Sequence, residues 1–332
     1  MKIGLTYDLR SEYLKMGYTE EETAEFDRDD TIFALEKALQ YLGHDTDRVG
    51  NARNLAHRLV AGDRWDLVFN IAEGLNGFGR EAQVPAMLDL FGIPYTFSDP
   101  VVTGLTLNKG LTKSIVRDHG YATADFKVVE NKDDVSTIRF EPPYFVKPVA
   151  EGTGKGITRE SVIYNRQDLL KACKRLLTQF RQPVLVEKFL CGREFTVGIL
   201  GTGKDATAVG TMEIILLPGA EDNVYSYINK EHCEELVRYE FVRADEDRTV
   251  REAEELSLSI WRTLGCRDGG RIDLRCDEYE HPYFLEVNPL AGIHPDHSDL
   301  PMLCGKAGIS YDEMIGRILS SAFTRVEGVN KR

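Results

Sequence analysis

No stretch of this chain approaches the roughly 20 consecutive apolar residues that a membrane-spanning helix requires. A basic excess is missing as well. The 332 residues carry 54 acidic and 41 basic side chains, a net charge of -13, which argues against a general nucleic-acid binder. Local basic clefts are compatible with that balance. Cysteine is sparse: Cys173, Cys191, Cys233, Cys266, Cys276 and Cys304 contain no CxxC pair. Reduced thiols in a cytoplasm, most of them filling core positions, are therefore expected in place of a disulfide framework or a zinc site. The opening MKIGLTYDLR enters a strand pattern without an apolar signal region, and the chain carries no internal repeat or low-complexity linker. A cytoplasmic protein with neither membrane nor nucleic acid as partner is expected.

What is present is an ordinary globular composition, 42% hydrophobic and 29% charged, on a chain long enough for two or three packed units. The first hundred residues alternate strand and helix signals. KIGLTYD reads as a strand and DDTIFALEKALQYLGH as an amphipathic helix, with Ile32, Leu35, Leu39 and Leu42 on one face and Gly43 ending it. WDLVFNIA comes next as a buried strand, then REAQVPAMLDLFG as a helix and IPYTFS as another strand. Such alternation predicts an open, mostly parallel α/β sheet. From LNKGLTKSIVRDHG a second unit begins, with strands ADFKVV and YFVKPV, a glycine-rich turn and the helix RQDLLKACKRLL. Beyond PVLVEKFL, β patterns dominate, and SYDEMIGRILSSAF closes the chain as a helix. Residues 218–236 lack clean periodicity and are a candidate active-site loop.

Three segments invite a chemical reading. GILGTGKD, residues 198–205, nearly matches a P-loop, but Asp205 stands where a hydroxyl should hold magnesium and β-prone ATAVGTM comes where a helix should begin. A hairpin turn is expected there. AEGTGKGIT, residues 150–158, comes after the strand bearing Lys147, so its glycines offer backbone N–H groups to phosphate, with a plain glycine-rich hairpin as the alternative. RIDLRCDEYEHPYFLEVNPLAG, residues 271–292, reads as two strands joined by an acidic turn. Residues two apart in a strand share a face, so Arg271 sides with Asp273, and Glu286 with Asn288. Pairing the strands brings the four onto one surface, while Ile272, Leu274, Leu285 and Val287 pack behind. Two carboxylates and a carboxamide are hard oxygen ligands suited to Mg²⁺ and substrate phosphates, and the arginine suits developing negative charge. A solvated sheet face with cross-strand ion pairs is the alternative.

FVKP…EGTGKGI, VLVEKFLCGREFTV, GCRDGGRIDLR and YFLEVNPLAG, in this order and spacing, resemble the ATP-grasp superfamily, and within it the D-alanine–D-alanine ligase branch. The resemblance runs from about residue 65 to residue 320. It implies an ATP-grasp fold, part α/β and part α+β. An N-terminal Rossmann-like preATP-grasp domain would span 1–105, a small central lid 106–184 and a C-terminal α+β unit 185–332. The implied reaction is Mg·ATP-dependent amide formation through an acyl phosphate, as in peptidoglycan synthesis, by a homodimer acting on small amino-acid-like substrates.

Residue by residue, the resemblance implies that Lys109, Lys147 and Thr153 serve the phosphates, while Glu187, Lys188 and Leu190 grip adenine. Glu194 would accept the ribose hydroxyls. Asp273, Glu286 and Asn288 would hold two Mg²⁺ ions, with Mn²⁺ as a substitute. Arg271 would contact the reacting groups, Lys230 the γ-phosphate with Tyr227 three residues before it, and Ser298 a substrate carboxylate. The amino-acid motifs depart from the family. The glycine pair and glutamate of its N-terminal loop are replaced by YDLRSEYLKMGYTEEETAEFDRDDTI, where Glu25 or Asp27 are candidates for the missing glutamate, or else simply an acidic helix start. Glu231 and His232 come directly after Lys230, and His294 and His297 have no counterpart. NIAEGLNGFGREAQ, which contains Glu73, keeps glycines and Glu81 but loses a histidine; Gly74, Gly77 and Gly79 would allow tight backbone turns near the first substrate, with a plain flexible loop as the alternative. A ligase for a different amino-acid or hydroxy-acid pair, an acyl-phosphate synthase and a non-catalytic ATP-binding module stay open.

Overall fold

The computed structural model describes residues 1–220, residue 229 and residues 233–330. Three sheets organise it. The first is parallel, with β1 (Lys2–Thr6) between β2 (Asp45–Gly50) and β3 (Leu67–Asn70). The helix Asp29–Tyr41 buries Ile32, Leu35 and Leu39 against it, the one-face spacing read from the sequence, and the chain leaves through Gly43 at φ +83°. β2 and the helix Ala52–Ala61 have no counterpart in the sequence reading. DTDRVG is polar and half-exposed because β2 is an edge strand, so it carries no alternation to read. IPYTFS is a correction: it forms only a single parallel bridge, Val68 to Tyr95. Pro94 has no N–H to donate, and Phe97, at φ +71°, gives its own N–H to the Asp268 carboxylate at 2.7 Å.

The second sheet contains β4 (Phe126–Val129), β5 (Tyr144–Pro148), β6 (Val162–Ile163) and β7 (Val184–Lys188) in the antiparallel order β4-β7-β5-β6. The helix Arg166–Phe180 seals one face with Leu169, Cys173 and Leu176. β7 begins where the third domain was expected, yet all its strand pairing is with β4 and β5. The third sheet is antiparallel, in the order β10-β9-β8-β11-β12. Its strands are β8 (Glu194–Leu200), β9 (Thr207–Leu216), β10 (Val237–Val242), β11 (Gly269–Cys276) and β12 (Pro282–Asn288). The near-P-loop segment is the turn of the β8–β9 hairpin, as its sequence context predicts.

The chain then returns to its beginning. The helices Asp299–Lys306 and Tyr311–Asn330 contribute Leu300, Cys304, Met314, Ile315, Ile318 and Leu319 to one core with Ile3, Leu5 and Phe69 of the first sheet. No described helix is long and apolar enough to cross a membrane.

Candidate active site

The hairpin β11–β12 forms the floor of the site. Arg271 lies directly opposite Asn288, and Asp273 opposite Glu286, so strand alternation brings the four together. Ile272, Leu274 and Val287 point the other way, into the core around Trp261. Leu285 departs from that scheme. The register slips after Asp273, pairing Leu274 with Phe284 and leaving Leu285 as the extra residue of a bulge. The expected core position of Leu285 is therefore corrected: it lines the cleft beside Glu286.

The floor is held by a dense polar network. Asp273 Oδ1 accepts from Thr196 Oγ1 at 2.8 Å, while its Oδ2 accepts from Asn288 Nδ2 at 3.2 Å and Arg271 Nε at 3.4 Å. Asp299, at the start of its helix, brings its Oδ2 to 3.3 Å from the same Arg271 Nε. Two ammonium groups approach from elsewhere: Lys109 Nζ is 3.4 Å and Lys147 Nζ 3.9 Å from Glu286 Oε2. The donor set fits Mg²⁺, since two carboxylates and a carboxamide present hard oxygens on one face beside cations able to share phosphate charge.

Behind the floor, Glu187 is buried with Lys113 Nζ at 2.7 Å and Lys147 Nζ at 3.2 Å on its two oxygens. Burial alone would raise its pKa, but the two ammonium groups overcome this and hold it below the ordinary range. Burial likewise opposes the charge on Lys147, yet Glu187 and Glu286 hold its pKa above the ordinary value. Lys113, sealed completely, is pushed down by burial. Lys188 gives its ammonium to the carbonyls of Glu141 and Pro142, at 3.1 and 2.9 Å. Glu194 pairs with Arg275 at 3.2 Å, and Leu190 joins Phe145, Phe189 and Ile214 as the apolar lining. Lys109, Lys147, Glu187, Lys188, Leu190 and Glu194 thus line one cleft together with Asp273 and Glu286.

A cavity of about 600 Å³ adjoins the floor, lined by Arg271, Asn288, Ser298 and Thr153, and on the N-terminal side by Glu25, Asp27, Glu73 and Glu81. Ser298 Oγ accepts from the His294 N–H at 2.9 Å. The His294 and His297 rings are 4.7 Å apart, with His294 Nε2 3.3 Å from Asp30 Oδ2. Thr153, at φ +48°, keeps a buried hydroxyl without a hydrogen-bond partner. Glu25 is committed elsewhere: it pairs with Arg80 at 2.9 Å and Lys155 at 3.5 Å, and accepts the Gly152 N–H at 2.7 Å. Arg80 also donates to the Ala150 carbonyl at 2.9 Å, so the N-terminal unit clasps the glycine-rich loop at two points. Gly74, at φ +71°, donates to Asp8 at 2.8 Å, and a Cβ there would meet the Arg80 carbonyl at 2.7 Å. Gly77 is left-handed too, at φ +93°, whereas Gly79 is not.

Lys230, Tyr227, Glu231 and His232 lie outside the described residues. The sequence reading missed Lys113, Arg80, Lys155 and Asp299. The first had a signal, because LNKGLTK puts Lys109 and Lys113 four apart on one helix. Lys155 has one local partner, Glu151 four residues before it at 3.2 Å, but its contact with Glu25 and the partners of Arg80 and Asp299 come from distant segments.

A cleft between two antiparallel sheets, floored by paired carboxylates and met by lysines, is the arrangement expected of an ATP-grasp ligase. A family model described as the D-ala D-ala ligase C-terminus matches residues 115–320. The chain is 34% identical over 277 residues to the D-alanine–D-alanine ligase of Bordetella petrii, covering 82% of this chain and 80% of that protein. With the corresponding Aquifex aeolicus ligase it shares 30% identity over 288 residues, covering 86% and 92%. Its fold matches the Bacillus anthracis D-alanine–D-alanine ligase complexed with ATP at a TM-score of 0.74 and 20% identity, over 99% of both chains. The chain belongs to the D-alanine–D-alanine ligase family. It is an ATP-dependent ligase that forms a C–N bond.

Proposed function

We propose that the protein joins the carboxylate of one amino acid to the amine of another at the β11–β12 floor. The donor carboxylate attacks the γ-phosphate of ATP, giving an acyl phosphate and ADP. The amine then attacks the acyl carbon, and phosphate leaves from the tetrahedral intermediate as the C–N bond forms. Positioning and charge neutralisation carry such chemistry. Lys109 and Lys147 stand beside the floor to meet phosphate oxygens, and Arg271, steadied by Asp273 and Asp299, faces the cavity where the acyl group reacts. Asp273, Glu286 and Asn288 would hold the two Mg²⁺ ions, with Mn²⁺ as a substitute, which when bound neutralise the triphosphate. Leu190 and the backbone around Glu187 and Lys188 take the adenine side, Glu194 the ribose, Thr153 the phosphates and Ser298 the substrate carboxylate. Lys230 is assigned the γ-phosphate on sequence alone. The three units 1–105, 106–184 and 185–332 form a cytoplasmic homodimer in this reading.

The observation that carries it is the register of Arg271 with Asn288 and Asp273 with Glu286, met by Lys109 and Lys147 from two other elements. The test is ADP release measured with Mg·ATP against panels of D- and L-amino acids, singly and in pairs. Turnover that requires both a carboxylate and an amine is expected. Release driven by the carboxylate alone would make this an acyl-phosphate synthase, and ATP binding without turnover would make it a binding module.

A further inference from the structure

The glycine-rich loop after β5 does little to fix its own shape. Thr153, Gly154 and Gly156 all stand at positive φ, +48°, +74° and +76°, and glycine surrenders more backbone freedom on ordering than any other residue. Its internal bonds are two turn closures, from the Lys155 N–H to the Gly152 carbonyl and from the Ile157 N–H to the Gly154 carbonyl, each 3.0 Å. Side chains from elsewhere hold the three residues before them. The Ala150 N–H donates to Gln182 Oε1 at 2.7 Å, and the Glu151 carbonyl accepts from Lys109 Nζ at 2.6 Å. The other two grips come from the N-terminal unit: Arg80 Nη1 donates to the Ala150 carbonyl at 2.9 Å, and Glu25 Oε1 accepts from the Gly152 N–H at 2.7 Å.

Those two grips form one bracket. Arg80 Nη2 donates to Glu25 Oε2 at 2.9 Å, and both side chains are only 8% exposed. With Nη1 on the loop and Nη2 on Glu25, the guanidinium is committed to the protein and is not presented to a substrate. Burial opposes the charge on Glu25, but Arg80 and Lys155 outweigh it and hold the carboxyl below its ordinary range, so it stays an acceptor. Gly152 is what lets the carboxylate come this close, since a Cβ there would meet Glu25 Oε1 at 2.5 Å. On the opposite side, Lys109 ties the Glu151 carbonyl to Glu286 of the floor, 3.4 Å from its Nζ. The loop is thus stretched between the bracket and the floor. Among the described residues the N–H groups of Thr153 and Gly154, between these anchors, have no acceptor.

We propose that Arg80 and Glu25 are positioning residues for the triphosphate: bound to each other, they hold residues 150–152 so that the Thr153 and Gly154 N–H groups meet phosphate oxygens. The N-terminal unit then contributes to ATP affinity without touching ATP. This rests on the reading that the glycine-rich loop receives the phosphates, and it assigns the residues that shape the loop. Without the bracket, the loop has to be ordered at the moment of binding, and that loss of freedom is subtracted from the affinity.

The experiment measures Kd for Mg·ATP and for adenosine by calorimetry in the parent, Arg80→Lys and Glu25→Gln. Adenosine lacks phosphates, so it reports the adenine and ribose side alone and shows that each variant is folded. Arg80→Lys keeps the positive charge beside Glu73 and Glu81 but replaces the two-pronged guanidinium with a single ammonium. Glu25→Gln keeps the volume and an oxygen for Gly152 but loses the charge that draws Arg80. Each is expected to weaken ATP by about tenfold, the scale of a lost hydrogen bond to a charged group, with adenosine unchanged within about twofold. In steady state KM for ATP should rise while kcat at saturating ATP stays within about threefold of the parent, since the loop keeps its phosphate donors. A role confined to fold stability would instead lower kcat through the folded fraction and leave Kd alone. ATP affinity retained within about twofold in both variants overturns the proposal and leaves the ligase reading standing, as does an equal weakening of ATP and adenosine. A parent chain that binds no ATP overturns the ligase reading and this proposal with it.

Discussion

At the scale of single residues, Glu187 carries more than its position on β7 suggests. Its carboxylate is the counter-ion of both Lys113 and Lys147 in a sealed pocket. Removing one member of a buried ion network leaves the others uncompensated, so Glu187→Ala should cost about 3–5 kcal/mol of stability, read as a shift in the urea midpoint. Glu286 is different, being partly open to the cleft. Glu286→Gln should leave the melting temperature near that of the parent while kcat falls by roughly 10²–10³, the scale of losing one charge-stabilising group. Normal turnover in that variant would remove the metal assignment. Glu81 supplies a pH signature. Burial raises its carboxyl to about 7, more than Arg80 and Lys109 lower it. The folded chain therefore holds a proton that the unfolded chain has lost above about 4.5, so this group's contribution makes stability fall as pH rises from about 4.5 through about 7. Glu81→Gln cannot titrate. The difference in denaturant midpoint between about pH 5 and about pH 8 should be shifted by the amount this term contributes, the variant losing less stability on going to the higher pH.

At the scale of elements, the near-P-loop between β8 and β9 shows how context decides a motif. A phosphate-binding loop needs a helix directly after it whose N-terminus faces the anion, and here a strand takes that place. The turn also lies away from the cleft residues. Asp205→Ala should accordingly leave the calorimetric Kd for ATP within about twofold, and a large loss would restore the P-loop reading. The β11–β12 hairpin was legible because its period is two and its polar residues recur at that period. Its bulge was not, since an extra residue in one strand is defined by the partner's register, and Leu285 carries no mark of it. β2 escaped notice for the opposite reason. An edge strand with half-exposed polar residues has little burial to pattern.

At the scale of the whole molecule, one face of the first sheet shares its core with the chain's end, while the other packs separately around Trp65, Val68 and Leu88. Ile315, Ile318 and Leu319 from the helix Tyr311–Asn330 pack with Ile3, Leu5 and Leu35. Arg325 of the same helix binds the fully buried Asp268 through two nitrogens and reaches the Tyr95 carbonyl at 3.0 Å. Ile318→Ala should therefore cost about 2–5 kcal/mol. Because the core is shared, hydrogen exchange should quicken in β1 and β3 as well as in the mutated helix. Protection loss confined to the C-terminal helix would contradict a shared core.

By itself the sequence determined the alternation of the elements, the shared face of Arg271, Asp273, Glu286 and Asn288, and the family, because periodicity and motif spacing are properties of contiguous residues. Only the tertiary structure decided that Glu25 clasps the glycine-rich loop, that Glu187 anchors two lysines, and that Asp27, Glu73 and Glu81 are left facing a cavity. Those facts depend on charges from segments tens of residues apart, and a carboxylate's role is set by which cation reaches it.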